Sequence, residues 1–177
     1  DRLLADGERV AVVDDLSSGR TVNLSGDAEL HELDICSTEI ASAVVQIRPD
    51  IVFHLAAQMS VAVSVREPML DARINVMGSL NLMEAVRGSG DAKFVFASTG
   101  GASYGEPERI PVVETDPRRP LSPYAASKLA VEQYLATYRA AYGFDYSIVR
   151  LGNVYGPRQD PHGEAGVIAI FTRAMFA

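Results

Sequence analysis

Apolar positions along this chain follow two spacings. Short β-branched runs, of the kind buried on both faces of a parallel sheet, recur between segments whose apolar residues return every three or four positions. "DRLLAD", followed by Gly7, reads as the last turns of a helix with a glycine after its end. "RVAVVDD" is then a buried strand, "LSSGRTVNLSGD" is turn chemistry, and "AELHELDI" holds a second strand. "STEIASAVVQIR" puts Ile40, Val44 and Ile47 on one helix face and ends at Pro49. "DIVFHLAA" is a third strand, "PMLDARINVMGSLNLMEAVRGSG" a long helix that stops at glycines, and "AKFVFAST" the next strand. A Gly- and Pro-rich loop, "GGASYGEPERIPVVETDPRRPLS", leads to the helix "PYAASKLAVEQYLATYRAAYG". "DYSIVRLGNVYGP" opens as a strand, and "GVIAIFTRAMFA" is a terminal helix.

Strand and helix in alternation predict an α/β fold with a doubly wound parallel sheet of Rossmann type. No internal repeat or low-complexity linker interrupts the pattern. Ligands of such sheets sit at the carboxyl ends of the strands, so the chemistry is sought in the residues just after each strand.

Composition narrows the classes. A chain of 177 residues with 47% hydrophobic content suits one globular unit with a real core. No apolar run reaches the roughly 18 residues of a membrane span, and the opening residues lack the pattern of a secretory signal. Cys36 is the one cysteine, which excludes a disulfide framework and fits a cytoplasmic protein. A net charge of −7 without a basic cluster argues against nucleic acid and anionic membranes as partners. Three histidines and one cysteine show no metal-ligand spacing.

The strand ends carry candidate chemistry. Asp14 and Asp15 follow the first strand; an acid at the second strand of a dinucleotide fold bonds the adenine ribose and repels a 2′-phosphate, favouring NAD over NADP. A turn-capping Asp would look the same. Asp34 and Ile35 follow the next strand and suit an adenine amino group and ring face; a helix N-cap role for Asp34 is the alternative. Small residues after "DIVFHL" let a cofactor approach the backbone closely, while His54, inside the strand, reads as a core histidine. Ser98 and Thr99, before Gly100 and Gly101, offer a hydroxyl to a substrate oxygen or to their own turn. Asn75 is a poor helix-interior residue, which points to a tertiary hydrogen bond or to a bland surface site.

Tyr124 and Lys128 lie four apart, on one helix face. A tyrosine of ordinary pKa, about 10, is no base near neutrality, and an adjacent ammonium favours the phenolate. The spacing alone also fits a surface pair. The order of the set, acid, hydroxyl and then Y-x-x-x-K, gives it weight.

That set resembles the extended short-chain dehydrogenase/reductase family, and within it the nucleotide-sugar epimerases of the UDP-glucose 4-epimerase type. The resemblance runs through "VVDDLSSG", "LDI", "FHLAAQMSVAVSV", "NVMGSLNLMEA", "FVFASTGGASYGE", "PLSPYAASKLAVEQY" and "VRLGNVYGPRQDPHGEAGVIAIF". It implies Tyr124 as the catalytic base, Lys128 as the partner that lowers its pKa and holds the nicotinamide ribose, and Thr99, with Ser98 beside it, at the sugar. It implies NAD as cofactor, held by Asp14 and Asp15 at the ribose, by Asp34 and Ile35 at the adenine, and by Leu55, Ala56, Ala57 and Asn75 along its length. Asn153 and a helix starting at Gly166 would meet the diphosphate of a UDP-sugar substrate. The reaction implied is inversion at C4 through transient oxidation. A homodimer built on the helices of Asn75 and Tyr124 is a further expectation.

Two departures from the family qualify this. The Gly-rich turn G-x-x-G-x-x-G and the first strand should precede Asp1, and most of a C-terminal substrate lobe should follow. Residues 1–177 are therefore expected to be a partial NAD-binding Rossmann domain, with 151–177 beginning the substrate-binding part, and this segment alone is expected to be inactive. Dehydratases of the 4,6 type carry an Asp-Glu pair after the catalytic Thr, where this chain has Gly100 and Gly101. They and the family's decarboxylases are the alternative, and a non-catalytic NAD-binding module is a further one.

Overall fold

The computed structural model describes residues 1–160 and 166–176. After a short helix α1 (Arg2–Ala5), strands β1 (Ala11–Asp14) and β2 (Glu29–Glu32) form one parallel ladder, with Ala11 opposite Glu29 and Asp14 opposite Glu32. Strands β3 (Ile51–His54), β4 (Lys93–Thr99) and β5 (Tyr146–Leu151) form a second parallel ladder with β4 at its centre. No ladder joins β1 to β3. Both ladders are parallel, with helices as crossovers, as in a doubly wound sheet.

The crossovers are helical. Helix α2 (Ile40–Ile47) buries Ile40, Ala43 and Val44, as its apolar spacing requires, and ends with Arg48 in a left-handed conformation (φ 50°) before Pro49. The next crossover is more broken than the sequence pattern suggests. It comprises α3 (Val61–Arg66), α4 (Pro68–Ala72), a π-helical segment (Arg73–Gly78) and α5 (Ser79–Ser89). Ser60 caps α3 by accepting from the Val63 N–H, and Pro68 starts α4 where a missing N–H costs nothing. Gly78 lets the π segment approach the β2–α2 loop: an added Cβ would lie 2.8 Å from Ile35 Cδ1. After β4 come a single turn α6 (Gly100–Ser103), the long loop, and α7 (Pro123–Tyr142), then α8 (Val167–Phe176) after β5.

One core serves these elements. Phe94 and Phe96 on β4 meet Met83 and Val86 of α5 and Val131 and Leu135 of α7, with Ile40 and Val44 of α2 closing the far side. Full burial of each such side chain contributes roughly 1.5–3 kcal/mol. The opposite face of the three-stranded ladder keeps Ile51, Phe53, Val149 and Leu151 in contact with solvent.

Candidate active site

The centre of the site is where the start of α7 meets the end of β4. Ser122 accepts a hydrogen bond from the Ala125 N–H at 3.2 Å and Pro123 occupies the first turn, so the helix begins one residue before Tyr124. Tyr124 and Lys128 then share one face. Lys128 is only 3% exposed; its Nζ donates to the Ala97 carbonyl at 3.0 Å and stands 4.9 Å from the Phe96 ring centre and 5.9 Å from that of Tyr124. Burial pulls the Lys128 ammonium down to about 8, against the opposing charge of Asp71.

Tyr124 departs from the expected direction. Burial, and then the Asp71 charge, push its phenol above the ordinary value. The ammonium is committed to the Ala97 carbonyl and lies beside the ring, while the phenol has lost water; desolvation of the phenolate therefore outweighs the neighbouring cation.

Thr99 ends β4 and caps α6: its Oγ1 accepts from the Ala102 N–H at 3.2 Å and its carbonyl accepts from Ser103 Oγ at 2.6 Å. Ser98 does not join it. Successive strand residues face opposite sides, and Ser98 is turned inward, donating to Glu132 Oε1 at 2.6 Å. Its expected contact with substrate is corrected on that ground. Glu132 also receives Arg118 at 2.7 Å and the Arg150 fork at 2.7–3.2 Å. Burial raises the Glu132 carboxyl, but the bonds from Arg150 and Ser98 and the charges of Arg150 and Arg118 outweigh it, so it stays below the usual glutamate range.

Asn75 makes the tertiary bonds its position suggested. Its Oδ1 accepts from the Gln58 N–H, and its Nδ2 donates to the Gln58 carbonyl and to Asp71 Oδ1, each at 2.9 Å. Asp71 Oδ1 also accepts from Gln58 Nε2 at 2.9 Å, and its Oδ2 accepts from Ser127 Oγ at 2.6 Å. His54 is a core histidine. The Ser79 hydroxyl donates to the Asn75 carbonyl, so the His54 Nε2 at 2.8 Å from that hydroxyl is the donor of the pair. Burial first, and Lys128 second, hold the imidazole neutral, down to about 3.

The remaining expected residues line the strand ends unevenly. Asp14 is half-buried, with Oδ1 accepting from the Leu16 N–H at 2.8 Å; Asp15 is exposed and bonds Ser17. Asp34 makes a turn, accepting from the Cys36 N–H at 2.8 Å. The Ile35 side chain is 7% exposed and packs into the core, and its carbonyl accepts from Asn81 Nδ2. Leu55 is exposed, Ala56 and Ala57 are half-buried at the end of β3, and Asn153 is exposed beyond β5. Gly166 precedes α8, whose residues are all at least partly exposed.

Sequence reasoning missed Gln58, Asp71, Ser127, Glu132 and Arg150. Two signals were present: Asp71 stands four before Asn75, and Ser127 adjoins Lys128. Among the described residues there is no metal-ligating cluster and no helix long and apolar enough to cross a membrane.

A model of the NAD dependent epimerase/dehydratase family matches residues 1–177. The chain belongs to this family. It is 50% identical over 182 residues to a UDP-glucose 4-epimerase of Mycolicibacterium smegmatis, covering 100% of this chain and 58% of that protein. A UDP-glucose 4-epimerase of Thermotoga maritima solved with UDP-glucose superimposes with a TM-score of 0.94 at 50% identity, over 99% of this chain and 57% of that one. One from Thermus thermophilus, solved with NAD, gives 0.91 at 53% identity, over 96% and 55%. This epimerase/dehydratase chain thus spans a little over half the length of the relatives it matches.

Proposed function

We propose that this chain is the dinucleotide-binding half of an NAD-dependent nucleotide-sugar 4-epimerase acting on UDP-glucose and UDP-galactose or a related UDP-sugar. The observation that carries this reading is the Lys128 ammonium, buried under the Tyr124 ring and tied to the Ala97 carbonyl two residues before Thr99. Identity of 50% to named UDP-glucose 4-epimerases supports it.

The residues present fit NAD. Among the described residues the Lys128 ammonium donates to the Ala97 carbonyl alone, leaving its other N–H groups for ribose hydroxyls. Ala56 and Ala57 leave room against the end of β3, and Asp14 presents a half-buried carboxylate at the end of β1. Asp34 and Asn75 stand at the same edge, Asn75 through the Gln58 backbone that it holds. NAD supplies a reversible hydride acceptor for the sugar carbon. Tyr124 Oη takes the proton of the sugar 4-hydroxyl and gives it back. Lys128 stabilises the phenolate while that proton is away, and Thr99 holds the same sugar oxygen by its hydroxyl. Asn153 and the start of α8 at Gly166 face the diphosphate. A central strand and Gly-rich turn between β1 and β3 complete the cradle, and the substrate lobe lies beyond α8.

Gly100 favours epimerase over 4,6-dehydratase. A Cβ there would lie 3.0 Å from the Arg150 carbonyl and 3.2 Å from that of Leu151, so any side chain directly after Thr99, an acid included, would crowd the backbone of β5. Exposed Met77 on the π segment and Tyr134 on α7 support a homodimer through these helices, and the single half-buried thiol of Cys36 supports a cytoplasmic setting. The test is to express the complete enzyme and offer UDP-glucose and UDP-galactose. Interconversion is expected, and Tyr124→Phe should cut turnover by about 10²-fold or more while NAD stays bound. No interconversion of either sugar would sink the reading.

A further inference from the structure

Asp71 is a carboxylate with 0% exposure, and among the described residues no ion pair reaches it. An unpaired buried carboxylate is costly, so its retention needs a compensating arrangement. Three donors surround it: Asn75 and Gln58 on Oδ1, Ser127 on Oδ2. Ser127 lies 56 residues away on α7, next to Lys128 and one turn from Tyr124. The Asp71–Ser127 bond therefore joins α4 to α7 at the turn that carries the proton-transfer pair.

We propose that Asp71 is a positioning residue for Tyr124 and Lys128: a buried counter-charge, locked by Ser127, Asn75 and Gln58, that keeps the Lys128 ammonium protonated and fixes the rotation of α7 at the site. The proposal rests on Tyr124 being the base. Its charge acts on both members of the pair, favouring the ammonium and opposing the phenolate. Few other ionisable groups face this point. His54 of β3 is held neutral, and Glu132, one turn further along α7, is turned to Arg118 and Arg150.

Asp71→Asn removes the charge and keeps the shape. Its amide oxygen can still accept from Asn75 and Gln58, and its amide nitrogen can donate to Ser127, which then accepts. In the complete enzyme, two quantities are read: the ultraviolet titration of the Tyr124 phenolate against a Tyr124→Phe reference without substrate, and the pH dependence of kcat. Loss of the charge should bring the phenolate in at lower pH and move the alkaline limb, where Lys128 loses its proton, down by about one unit or more. Ser127→Ala keeps the carboxylate and removes one tether, so it should lower kcat and leave the limbs in place. If Asp71→Asn does not fold, Asp71→Ser, a smaller neutral side chain at the same place, is read by the same titration, and the phenolate should again come in at lower pH. Titrations and limbs at their wild-type positions would overturn the proposal, whatever the loss in kcat. The phenolate titration needs no sugar, so a shift there without epimerase turnover would count against the substrate reading and leave the role of Asp71 standing.

Discussion

Glu132 offers the most direct test of how β4 is held. Its carboxylate is 1% exposed and takes five short contacts: Ser98 at 2.6 Å, Arg118 at 2.7 Å, and the Arg150 fork at 2.7, 3.1 and 3.2 Å. Glu132→Gln keeps the volume but replaces one acceptor oxygen by an N–H₂ group that must face a guanidinium. Removing one partner of a buried pair costs roughly 3–5 kcal/mol. Arg118 and Arg150 keep 31% and 19% exposure and can be rehydrated, so the lower end, about 3 kcal/mol, is expected. Urea unfolding of both proteins near neutral pH measures the difference. The sign of its pH dependence is fixed as well. The native carboxyl lies below its ordinary value, so the stabilisation is present above the ordinary glutamate range and fades as pH falls through the native value. The gap between wild type and variant should therefore narrow in acid. A difference under about 0.5 kcal/mol, the size of an ordinary surface change, would refute the reasoning.

Two further outcomes follow from the same structure. Lys128 titrates at about 8 instead of 10.5, so its burial is a net cost below pH 8, even with the Asp71 attraction included. Wild-type stability from this group should rise as pH climbs from about 8 to 10.5, the window in which the native state has already lost the proton that the unfolded chain retains. Lys128→Met should then be at least as stable as wild type near pH 7, with the gap closing near pH 10.5, and urea midpoints at the two pH values decide it; a variant clearly less stable at pH 7 contradicts this. Gly105 has φ +63°, and an added Cβ would collide with the Arg119 carbonyl. Gly105→Ala should cost about 1–2 kcal/mol or more and loosen the loop that brings Arg118 to Glu132, seen as faster proteolysis within residues 104–122; unchanged protection would count against it.

Much of the fold was legible because local chemistry and tertiary structure agree. The limits of α7 follow from Ser122, Pro123 and Gly143, whose φ of 70° closes the helix, and the same period that marks the helix sets Tyr124 beside Lys128. Strand-end positions were legible too, but not their facing. Ser98 and Ile35 stand at strand ends, yet alternation and core packing turn both inward. Asp71 and Glu132 were illegible for a different reason. A charge on an amphipathic helix ordinarily marks its solvent side, and only partners far along the chain, Ser127 for one and Arg150 for the other, make burial tolerable. Helix α3 carries three valines, weak helix formers, and is held by the Ser60 cap and by packing against α4 and α7.

The π-helical segment Arg73–Gly78 also governs what can be inserted or removed here. With i→i+5 bonding it holds one residue more than the same rotation of α-helix would need, so the extra residue is absorbed inside the segment and the two ends keep their phase. A residue added to or removed from α4 or α5 would instead turn one end by about 100°, so that Asp71 would point away from Ser127 while Met83 and Val86 stayed in the core, or the reverse. The segment works as a phase adjuster. It allows one continuous rod to keep a polar hub in register with α7 at one end and an apolar stripe in register with the sheet at the other, so a one-residue deletion is best tolerated within residues 73–78.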